Sequence, residues 1–591
     1  MKKKKLEMRS ASGRRWAGAC RLAALVLAGA LAFSMAGCSA GGTSTGESSG
    51  ADASASPSAS ATGDSAALDT SAMDFDYSKR DKDPSYDDAT ATHIALSGTA
   101  ASVDGAGATA EGSTVTISQE GTYVVSGTLA DGQLIVETPD DVKVQVVLAG
   151  ATIHNEDGPA LYVKQTDKCF ITLADGTQNT LTDGANYVLD DGDEPYATLF
   201  SKDDLTINGA GALTVTSAYR HAICSKDDLV TTGGTFTVDA VEDALRGRDC
   251  VKIADGTFTL TSGGDAIKSN NDEDATRGFV CIDGGTFAIS AGDDAVHAET
   301  VLNVNGGTVD VATCYEGYEG QQVHITGGDT HIVATDDGIN AASSAASSDA
   351  ERAQTGGMPL TGMAEGGMGM GDASCLIEVT GGYTVVDAAG DGIDSNGSFA
   401  MSGGVLLVCG PADGANGAFD YDLDATISGG TLIAVGSAGM AQNLTGGTQP
   451  FAFANVSSSA GQNIAVTDEG GSVLASFTAA RQFATALVSA PGMTEGGTFA
   501  LVVGGTVAGA NADGYASSGT VSGGTSTEVT ASTTATGGMG GLGMGGGGMP
   551  AGQPGDIQRG GPAGGEAMPG AGGAEAAPGN IQRDQRPALA A

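Results

Sequence analysis

The sequence predicts an all-β fold, a right-handed parallel β-helix with coils of about 22 residues. The main observation is a phrase of an acidic residue, Ala or Gly, a large apolar residue and a polar residue. It occurs at 243–246, 265–268, 294–297, 316–319, 337–340 and 391–394. Repeats of fixed length are typical of a solenoid, in which each repeat is one coil stacked on the last. The right-handed sense is expected because β crossovers are normally right-handed.

A second phrase indicates the strands. Paired glycines precede short alternating runs, as at 233–238, 284–289 and 306–311. Alternation of β-branched and aromatic residues with polar residues is typical of strands, and glycine pairs between such runs favour tight turns. Runs of helical period are essentially absent after the N-terminus. We therefore expect about three short parallel strands per coil, with equivalent residues of successive coils ~4.8 Å apart.

The first residues predict targeting rather than a domain. Residues 1–37 combine a basic start with an apolar stretch at 22–34 that is too short to span a bilayer, as in a signal peptide. Residues 35–38, Met-Ala-Gly-Cys, resemble a bacterial lipobox, which implies acylation of Cys38. We expect an extracellular protein that is lipid-anchored to the cell membrane; ordinary secretion is the alternative.

The remaining chain divides by composition. Residues 38–90 are predicted to be a flexible tether, although acidic and aromatic residues at 72–90 leave open that folding begins there. Residues 91–440 form the predicted β-helix, with an insertion at 342–374. Residues 441–534 contain strands without the acidic phrase, which predicts a C-terminal β cap. The Gly/Met/Pro-rich residues 535–591 are predicted to be disordered.

Composition limits the partners. The formal net charge of −44 disfavours nucleic acid and anionic lipid, and it favours cations or ligands bridged by cations. Seven cysteines follow residue 38, and this odd, widely spaced set is expected to be buried in the coils rather than paired. None of the six histidines lies in an HExxH motif, so a metalloprotease has no support.

Stacked carboxylates predict calcium. Carboxylates ~4.8 Å apart repel one another, which raises their pKa or attracts a cation. Calcium accepts about six to eight oxygen ligands in a flexible shell. An acidic loop at 270–274 lengthens one interval, and we expect it to supply further ligands beside the stack. The candidate ligands are Glu242, Asp243, Asp265, Asn270, Asp272, Asp293, Asp294, Glu316 and Asp337. The alternative is that these residues are solvated turns whose carboxylates cap backbone groups.

The fourth position of the phrase predicts a second stack, a candidate carbohydrate site. Its members are Arg246, Lys268, His297, Glu319, Asn340 and Asp394, and the first five are the candidate carbohydrate-binding residues. A groove of acidic residues, calcium and a few basic groups could hold an acidic polysaccharide, with calcium bridging to sugar carboxylates. Ordinary exposed turn residues are the alternative. Tyr219, Tyr315 and Tyr318 are candidates for stacking on sugar rings.

Longer runs carry a family resemblance. They lie at 201–207, 264–274, 315–320, 335–342 and 417–422. The chain resembles the bacterial carbohydrate-binding parallel β-helix family, secreted or lipid-anchored proteins with a pectate-lyase-like fold. The resemblance implies calcium at acidic turns and binding of plant-cell-wall polymers such as polygalacturonate or cellulose. His221 stands where the phrase would have an acidic residue one coil before Asp243, which puts calcium on that coil in doubt.

Three functions follow from these observations. The first is a cell-surface protein that binds acidic or plant-cell-wall polysaccharide with calcium. The second is a calcium-dependent polysaccharide lyase with Lys268 as the base that abstracts a proton beside a uronate carboxylate. A lysine beside a carboxylate is more often an ion pair, and acidic surroundings raise its pKa. The third is a surface adhesin or structural solenoid. The oligomeric state stays open.

Overall fold

A computed structural model describes residues 70–189, 194–343 and 371–535, together with Leu68 and Gly192. Every described residue lies in one compact unit. The predictions for residues 1–37, Cys38, most of the insertion and nearly all of the C-terminal tail fall outside the described residues. Within them, no helix is long and apolar enough to cross a membrane.

The described chain is all-β, as predicted. Its one helical element is a 3₁₀ turn at Thr70–Ala72. The strands before residue 190 are Thr92–Gly98, Ala101–Asp104, Ala108–Glu111, Thr114–Ile117, Gly121–Leu129, Gln133–Glu137, Lys143–Asn155, Leu161–Gln165, Lys168–Leu173 and Gln178–Asp183. Those from 197 to 341 are Ala197–Ser201, Asp204–Gly209, Ala212–Thr216, His221–Ser225, Asp228–Ala240, Leu245–Gly247, Cys250–Ser262, Ile267–Ser269, Phe279–Ile282, Thr286–Ser290, Val296–Val304, Thr308–Cys314, Tyr318–Ile325, Asp329–Ala334 and Ile339–Ala341.

The strands after the insertion continue the same pattern and then change. The first group is Leu376–Val379, Tyr383–Ala388, Ile393–Ser395, Ser398–Met401, Val405–Cys409, Asp420–Tyr421, Ala425–Ile427 and Thr431–Gly436. The C-terminal group is Gly446–Ser458, Asn463–Thr467, Val473–Thr478, Phe483–Ser489, Thr498–Val503, Thr506–Val507, Val521–Ser522, Thr525–Thr530 and Ser532–Thr534. A large sheet holds 36 strands, and sheets of four and two strands complete the set.

Parallel pairing between successive sequence repeats arranges the large sheet as three ladders. The first ladder holds the strands that follow the acidic phrase, such as Leu245–Gly247 paired with Ile267–Ser269. The second holds strands such as Lys168–Leu173 paired with Asp204–Gly209. The third holds the strands that follow the glycine pairs, where Phe236 is the register partner of Phe258. Equivalent positions of neighbouring repeats therefore lie side by side, as the period predicts.

Alternating apolar residues of the ladders form the core. The third ladder stacks Phe236, Phe258 and Phe287, with successive ring centroids 4.7 Å apart and planes within 5° of parallel. That distance equals the spacing of neighbouring strands, so the ladder register sets the stacking. Each ring is at most 1% exposed. The seven cysteines of the described chain are also buried and free, as predicted.

Residues 70–91, here called the N-terminal strap, lie on the second ladder. Phe75 packs edge-on against Phe279, with ring centroids 4.8 Å apart. Asp81 is 3% exposed, accepts a hydrogen bond from Thr206 Oγ1 at 2.7 Å and pairs with Lys168 at 3.0 Å. The prediction of a flexible tether through residue 90 is therefore wrong for residues 70–90, because their apolar and acidic side chains find partners on the ladder.

The C-terminal region differs from the repeats. Phe483–Ser489 pairs antiparallel with Thr431–Gly436, the last described strand of the third ladder. The four-stranded sheet is antiparallel, and its residues Ile464 and Phe477 share an apolar cluster with Leu407 of the third ladder. A β region after residue 441 is thus observed, and it packs on this ladder rather than standing apart.

Candidate functional site

The acidic phrase lies at the turn between a third-ladder strand and the next first-ladder strand. Its acidic residues are here called the acidic column, and the aspartates of this column use one carboxylate oxygen in the same way. Asp243 Oδ1 accepts the backbone N–H of Asp265 at 3.1 Å, and Asp265 Oδ1 accepts that of Asp294 at 2.9 Å. Asp294 Oδ1 accepts the N–H of Glu316 at 3.3 Å. Each carboxylate therefore caps the turn of the following repeat, so these bonds are structural.

The later repeats keep this bond across the insertion. Asp337 Oδ1 accepts the N–H of Asp391, and Asp391 Oδ1 accepts the N–H of Gly417, both at 2.5 Å. His221 performs the same task one repeat before Asp243, because its Nδ1 accepts the N–H of Asp243 at 3.1 Å. The departure from the acidic phrase at His221 is therefore a different acceptor at an equivalent turn.

The fourth residues of the phrase, here called the polar column, are consecutive register partners on the first ladder. The column runs through Arg246, Lys268, His297, Glu319, Asn340, Asp394 and Asp420. In-register parallel strands direct equivalent side chains to the same face. The sequence prediction of a second stack is confirmed for its six members, from Arg246 to Asp394, while a role in binding carbohydrate stays a prediction.

The first part of the two columns is balanced in charge. Arg246 Nη1 donates to Asp243 Oδ2 at 2.9 Å, and Lys268 Nζ donates to Asp265 Oδ2 at 2.5 Å. Burial tends to lower the pKa of Lys268, but the charges of Asp265 and Asp243 outweigh it and raise the pKa to about 12. Lys268 is therefore a protonated ion-pair partner at neutral pH.

His297 balances the next repeat. Its Nδ1 lies 3.3 Å from Asp294 Oδ2 and also hydrogen-bonds to the carboxylate of Glu319. Burial tends to lower the pKa of His297, but the charge of Glu319 and the bonds to both carboxylates raise it well above its usual value. Burial also acts to raise the pKa of Glu319, but the charge of His297 prevails and lowers it to about 2. A protonated imidazole donates hydrogen bonds and cannot ligate a metal.

The second part of the columns lacks this balance. Carboxylate oxygens of Asp337, Asp391 and Asp394 lie within 4.8 Å of one another. Burial and neighbouring carboxylates raise the pKa of Asp337 to about 7, that of Asp391 to about 6 and that of Asp394 to about 8. In the described chain, no Lys, Arg or His forms an ion pair with any of the three. Among the described residues, the negative charge of this cluster therefore has no cationic side chain beside it.

Asn340 adds a neutral oxygen beside the cluster. It is the register partner of Asp394 on the first ladder and is 9% exposed. Its Nδ2 donates to Glu316 Oε2 at 2.9 Å, while its buried Oδ1 accepts no hydrogen bond. An amide oxygen and three carboxylates are the hard oxygen ligands that calcium prefers.

The predicted metal ligands separate into several places. Asp265, Asp293 and Asp294 do come together, with ligand atoms within 4.8 Å. Both oxygens of Asp265 are already used, however, by Lys268 and by a backbone N–H. Glu242 pairs with Arg220 at 2.9 Å rather than with the acidic column.

The acidic loop at 270–274 is not beside the acidic column, so that prediction is wrong for Asn270 and Asp272. The loop follows Ile267–Ser269, whereas Asp265 precedes this strand. Loop residues bond at the far end instead, where Asn271 Nδ2 donates to Asp249 Oδ1 at 2.6 Å. An intervening strand directs the two acidic segments to different edges, a separation that the linear sequence does not show.

The three tyrosines that are candidates for stacking on sugar rings lie in different environments. Tyr318 is fully buried, so it cannot contact a sugar. Tyr219 stacks on Tyr187, with ring centroids 4.3 Å apart. Tyr315, in the turn beside the acidic column, is 36% exposed.

Asp391 and Asp394 are not among the metal ligands predicted from the sequence. A signal was present, because 391–394 is the repeat of the phrase with aspartate at both polar positions. The polar column also contains no cation from Glu319 onward. The change in the sign of charge along the polar column, rather than the acidic residues alone, identifies this cluster.

Comparisons with known proteins agree on one class. A family model described as "Carbohydrate-binding domain-containing protein" matches residues 111–352. A protein of Acetivibrio thermocellus with the same description is 40% identical over 128 residues, which are 21% of this chain. The chain spans 45% of the length of that relative. This chain is therefore similar, over part of its length, to carbohydrate-binding domain-containing proteins.

One solved structure is also similar. Its title is "Structure of the polysaccharide lyase-like protein from C. thermocellum, Gadolinium derivative", and it is 34% identical to this chain. The match covers 40% of this chain and 92% of the solved chain, with a TM-score of 0.36.

Proposed function

We propose that this protein binds acidic polysaccharide at the cell surface through calcium held by Asp337, Asp391 and Asp394. The observation that carries the proposal is the contrast along the columns. Arg246, Lys268 and His297 form ion pairs with carboxylates of the earlier repeats, whereas these three carboxylates have raised pKa values and, among the described residues, no cationic partner.

Calcium fits the donors of the cluster. It accepts about six to eight oxygens at ~2.3–2.6 Å in a flexible shell. The three aspartates and Asn340 Oδ1 supply part of that shell. Positions left open would be filled by water or by the carboxylate of a uronic acid, so calcium would bridge two sets of anions that otherwise repel. Polygalacturonate is the polymer that this chemistry favours over uncharged cellulose.

We further propose that the three ladders are the faces of a right-handed parallel β-helix. Parallel pairing between repeats about 22 positions apart supports it, as do the stacked Phe236, Phe258 and Phe287. A stack of repeats would present the two columns as one extended edge, which suits a linear polymer. Extracellular, lipid-anchored localisation through Cys38 remains part of this proposal.

Binding is favoured over lysis by the state of Lys268. A lysine that abstracts a proton must be unprotonated near the working pH. Its bond to Asp265 and its pKa of about 12 keep Lys268 protonated. A surface adhesin or structural role stays the outcome if no polysaccharide binds.

The test is a titration of the purified full chain with polygalacturonate and with cellulose, with calcium or with EDTA. We expect calcium-dependent binding of polygalacturonate, and no absorbance from an unsaturated product. Asp394→Asn should weaken calcium binding by roughly 100-fold, since even outer-shell partners of a metal contribute ~10–100-fold. Asp310→Asn, an exposed aspartate on the third ladder, is the matched control and should bind as the wild type does.

Three results would contradict the proposal. Polygalacturonate binding that persists in EDTA would show that binding does not require calcium. Product formation that is lost in Lys268→Ala would make the protein a lyase. Failure to bind either polymer, with calcium bound normally, would leave the adhesin or structural role.

A further inference from the structure

A cleft of about 340 Å³ lies at the N-terminal end of the edge that carries the acidic column. The turns after Gly121–Leu129 and Lys143–Asn155 form two of its sides, and Val188 and Pro195 line a third. Small-molecule pockets usually enclose ~300–1,000 Å³, so this cleft is at the lower end of that range. It shares no residue with the Asp337, Asp391 and Asp394 cluster.

Hydrogen-bond acceptors dominate the lining. Gln133 Nε2 and Asn155 Nδ2 both donate to the carbonyl oxygen of Pro159, at 2.8 and 2.9 Å. One N–H of each amide is thus engaged within the protein, and the amide oxygens remain as acceptors. The exposed carboxylates of Asp131 and Asp157 add further acceptors. A ligand for this cleft must therefore supply several hydrogen-bond donors.

Charge narrows the ligand further. The cleft lining contains two carboxylates and no Lys, Arg or His. A uronate or phosphate group would be repelled there, because like charges at short range are unfavourable and no cation compensates them. Asp131 Oδ1 already accepts the N–H of Glu156 at 3.1 Å, which fixes one carboxylate on the rim. The lining therefore disfavours anions, and a neutral ligand rich in hydroxyl groups fits its acceptors.

An apolar side completes the cleft. Val188 is 68% exposed, which is unusual for a large aliphatic residue, and Pro159 and Pro195 lie in the same lining. Gly158 keeps the floor open, because a Cβ there would lie 2.9 Å from Asn155 Nδ2 and 3.3 Å from Gln133 Nε2. A sugar ring has this combination of properties, with hydroxyl edges and C–H faces.

We propose that this cleft is a calcium-independent binding site for an uncharged sugar residue, separate from the calcium-dependent uronate site. The inference rests on the proposed carbohydrate-binding function for its ligand class only. One site for uronate and one for neutral sugar on the same edge would let the protein bind a polymer that carries both kinds of sugar. Polysaccharides with an acidic main chain and neutral side branches have that composition.

The experiment is saturation-transfer NMR on the full chain with glucose, galactose, xylose, arabinose and galacturonate. We expect transfer to at least one neutral sugar, no transfer to galacturonate, and the same signals in EDTA. Asp157→Ala and Val188→Ala should each raise the dissociation constant for the neutral sugar by about tenfold. The first removes a hydrogen bond to a charged group, and the second removes an apolar contact. Both positions are exposed, so folding should persist. Asp175→Ala, an exposed turn aspartate outside the cleft, is the control.

Several outcomes would overturn the inference. These are no transfer to any neutral sugar, transfer that neither variant reduces, a preference for galacturonate, or signals that EDTA abolishes, which would indicate a cation site. Polygalacturonate binding should be measured on the same samples. That measurement distinguishes failure of the neutral-sugar site from failure of the proposed calcium-dependent function. Asp394→Asn should lose the polymer but keep the neutral sugar.

Discussion

Charge compensation distinguishes residues that occupy equivalent positions. Asp265 and Asp391 both cap the turn of the next repeat through Oδ1. The second oxygen of Asp265 meets Lys268, whereas the residue three positions after Asp391 is another aspartate, Asp394. One substitution in the polar column thus changes an ion pair into a pair of repelling carboxylates, and that repulsion is what a bound cation would relieve.

The raised pKa values predict an unusual pH dependence of stability without metal. The folded pKa values of Asp337, Asp391 and Asp394, about 7, 6 and 8, exceed the ordinary value of 3.8. The folded state therefore holds protons that the unfolded state has lost. Their contribution to stability is complete below about pH 4 and is lost as the pH rises through 6 to 8. In EDTA, Asp394→Asn should melt at a higher temperature than the wild type at pH 8, and this gain should shrink towards pH 4.5.

The same melting temperatures should be measured with calcium and with a control variant. Calcium at pH 8 should raise the melting temperature of the wild type and leave that of Asp394→Asn nearly unchanged, because binding to the folded state alone stabilises it. Asp310→Asn should follow the wild type under all conditions. Equal melting curves of wild type and Asp394→Asn at pH 8 in EDTA would show that the carboxylates do not repel as proposed.

At the scale of the strand and turn, the small second residue of the phrase is set by packing. Ala266 is completely buried, and glycine occupies the equivalent position at Gly338 and Gly392. A Cβ on Gly392 would lie 2.2 Å from Cγ1 of Val408, and one on Gly338 would lie equally close to Val386. At these two turns a methyl group would meet both a valine side chain of the third ladder and a backbone carbonyl oxygen.

This packing predicts the effect of one methyl group. Gly392→Ala should lower the free energy of unfolding by ~1–3 kcal/mol, the usual cost of overpacking a core. Thermal or denaturant unfolding would measure it. The double variant Gly392→Ala, Val408→Ala should recover part of the loss relative to Val408→Ala alone, because Cγ1 is then absent. Without such recovery, the loss would have to arise from the backbone and not from the contact with Val408.

At the scale of the whole molecule, two segments cover ladders other than the first. The N-terminal strap packs on the second ladder through Phe75 and Asp81. The C-terminal region contacts the third ladder, where Tyr383 Oη donates to Asp513 Oδ2 at 2.8 Å. These described contacts lie away from the acidic column, so the edge proposed to bind polysaccharide stays outside both covers.

The strap should therefore matter for stability and not for calcium. Asp81→Ala would leave Lys168, which is 11% exposed, without its buried partner, and loss of one member of a buried pair costs ~3–5 kcal/mol. We expect a lower unfolding free energy and faster proteolysis within residues 70–90. Asp83→Ala, an exposed neighbour, is the control and should change neither. Altered calcium affinity in Asp81→Ala would instead couple the strap to the acidic column.

Residue order alone was sufficient for the features that repeat locally. Alternation after the glycine pairs indicated strands, and the 22-residue spacing of Asp243 and Asp265 indicated which residues become register partners. The polar column from Arg246 to Asn340 followed from the same spacing. These predictions succeeded because strand pairing in register converts a sequence period directly into spatial neighbours.

Tertiary structure decided the charges and the partners. Asp337 and Asp391 are 54 positions apart because of the insertion, yet they share a turn bond. Asp265 and Asn270 are five positions apart, yet a strand separates their edges. Whether a carboxylate is neutralised depends on burial and on side chains from adjacent strands, which contribute at distances of a few ångströms. Linear spacing carries no measure of those distances wherever an insertion or a change of edge interrupts the period.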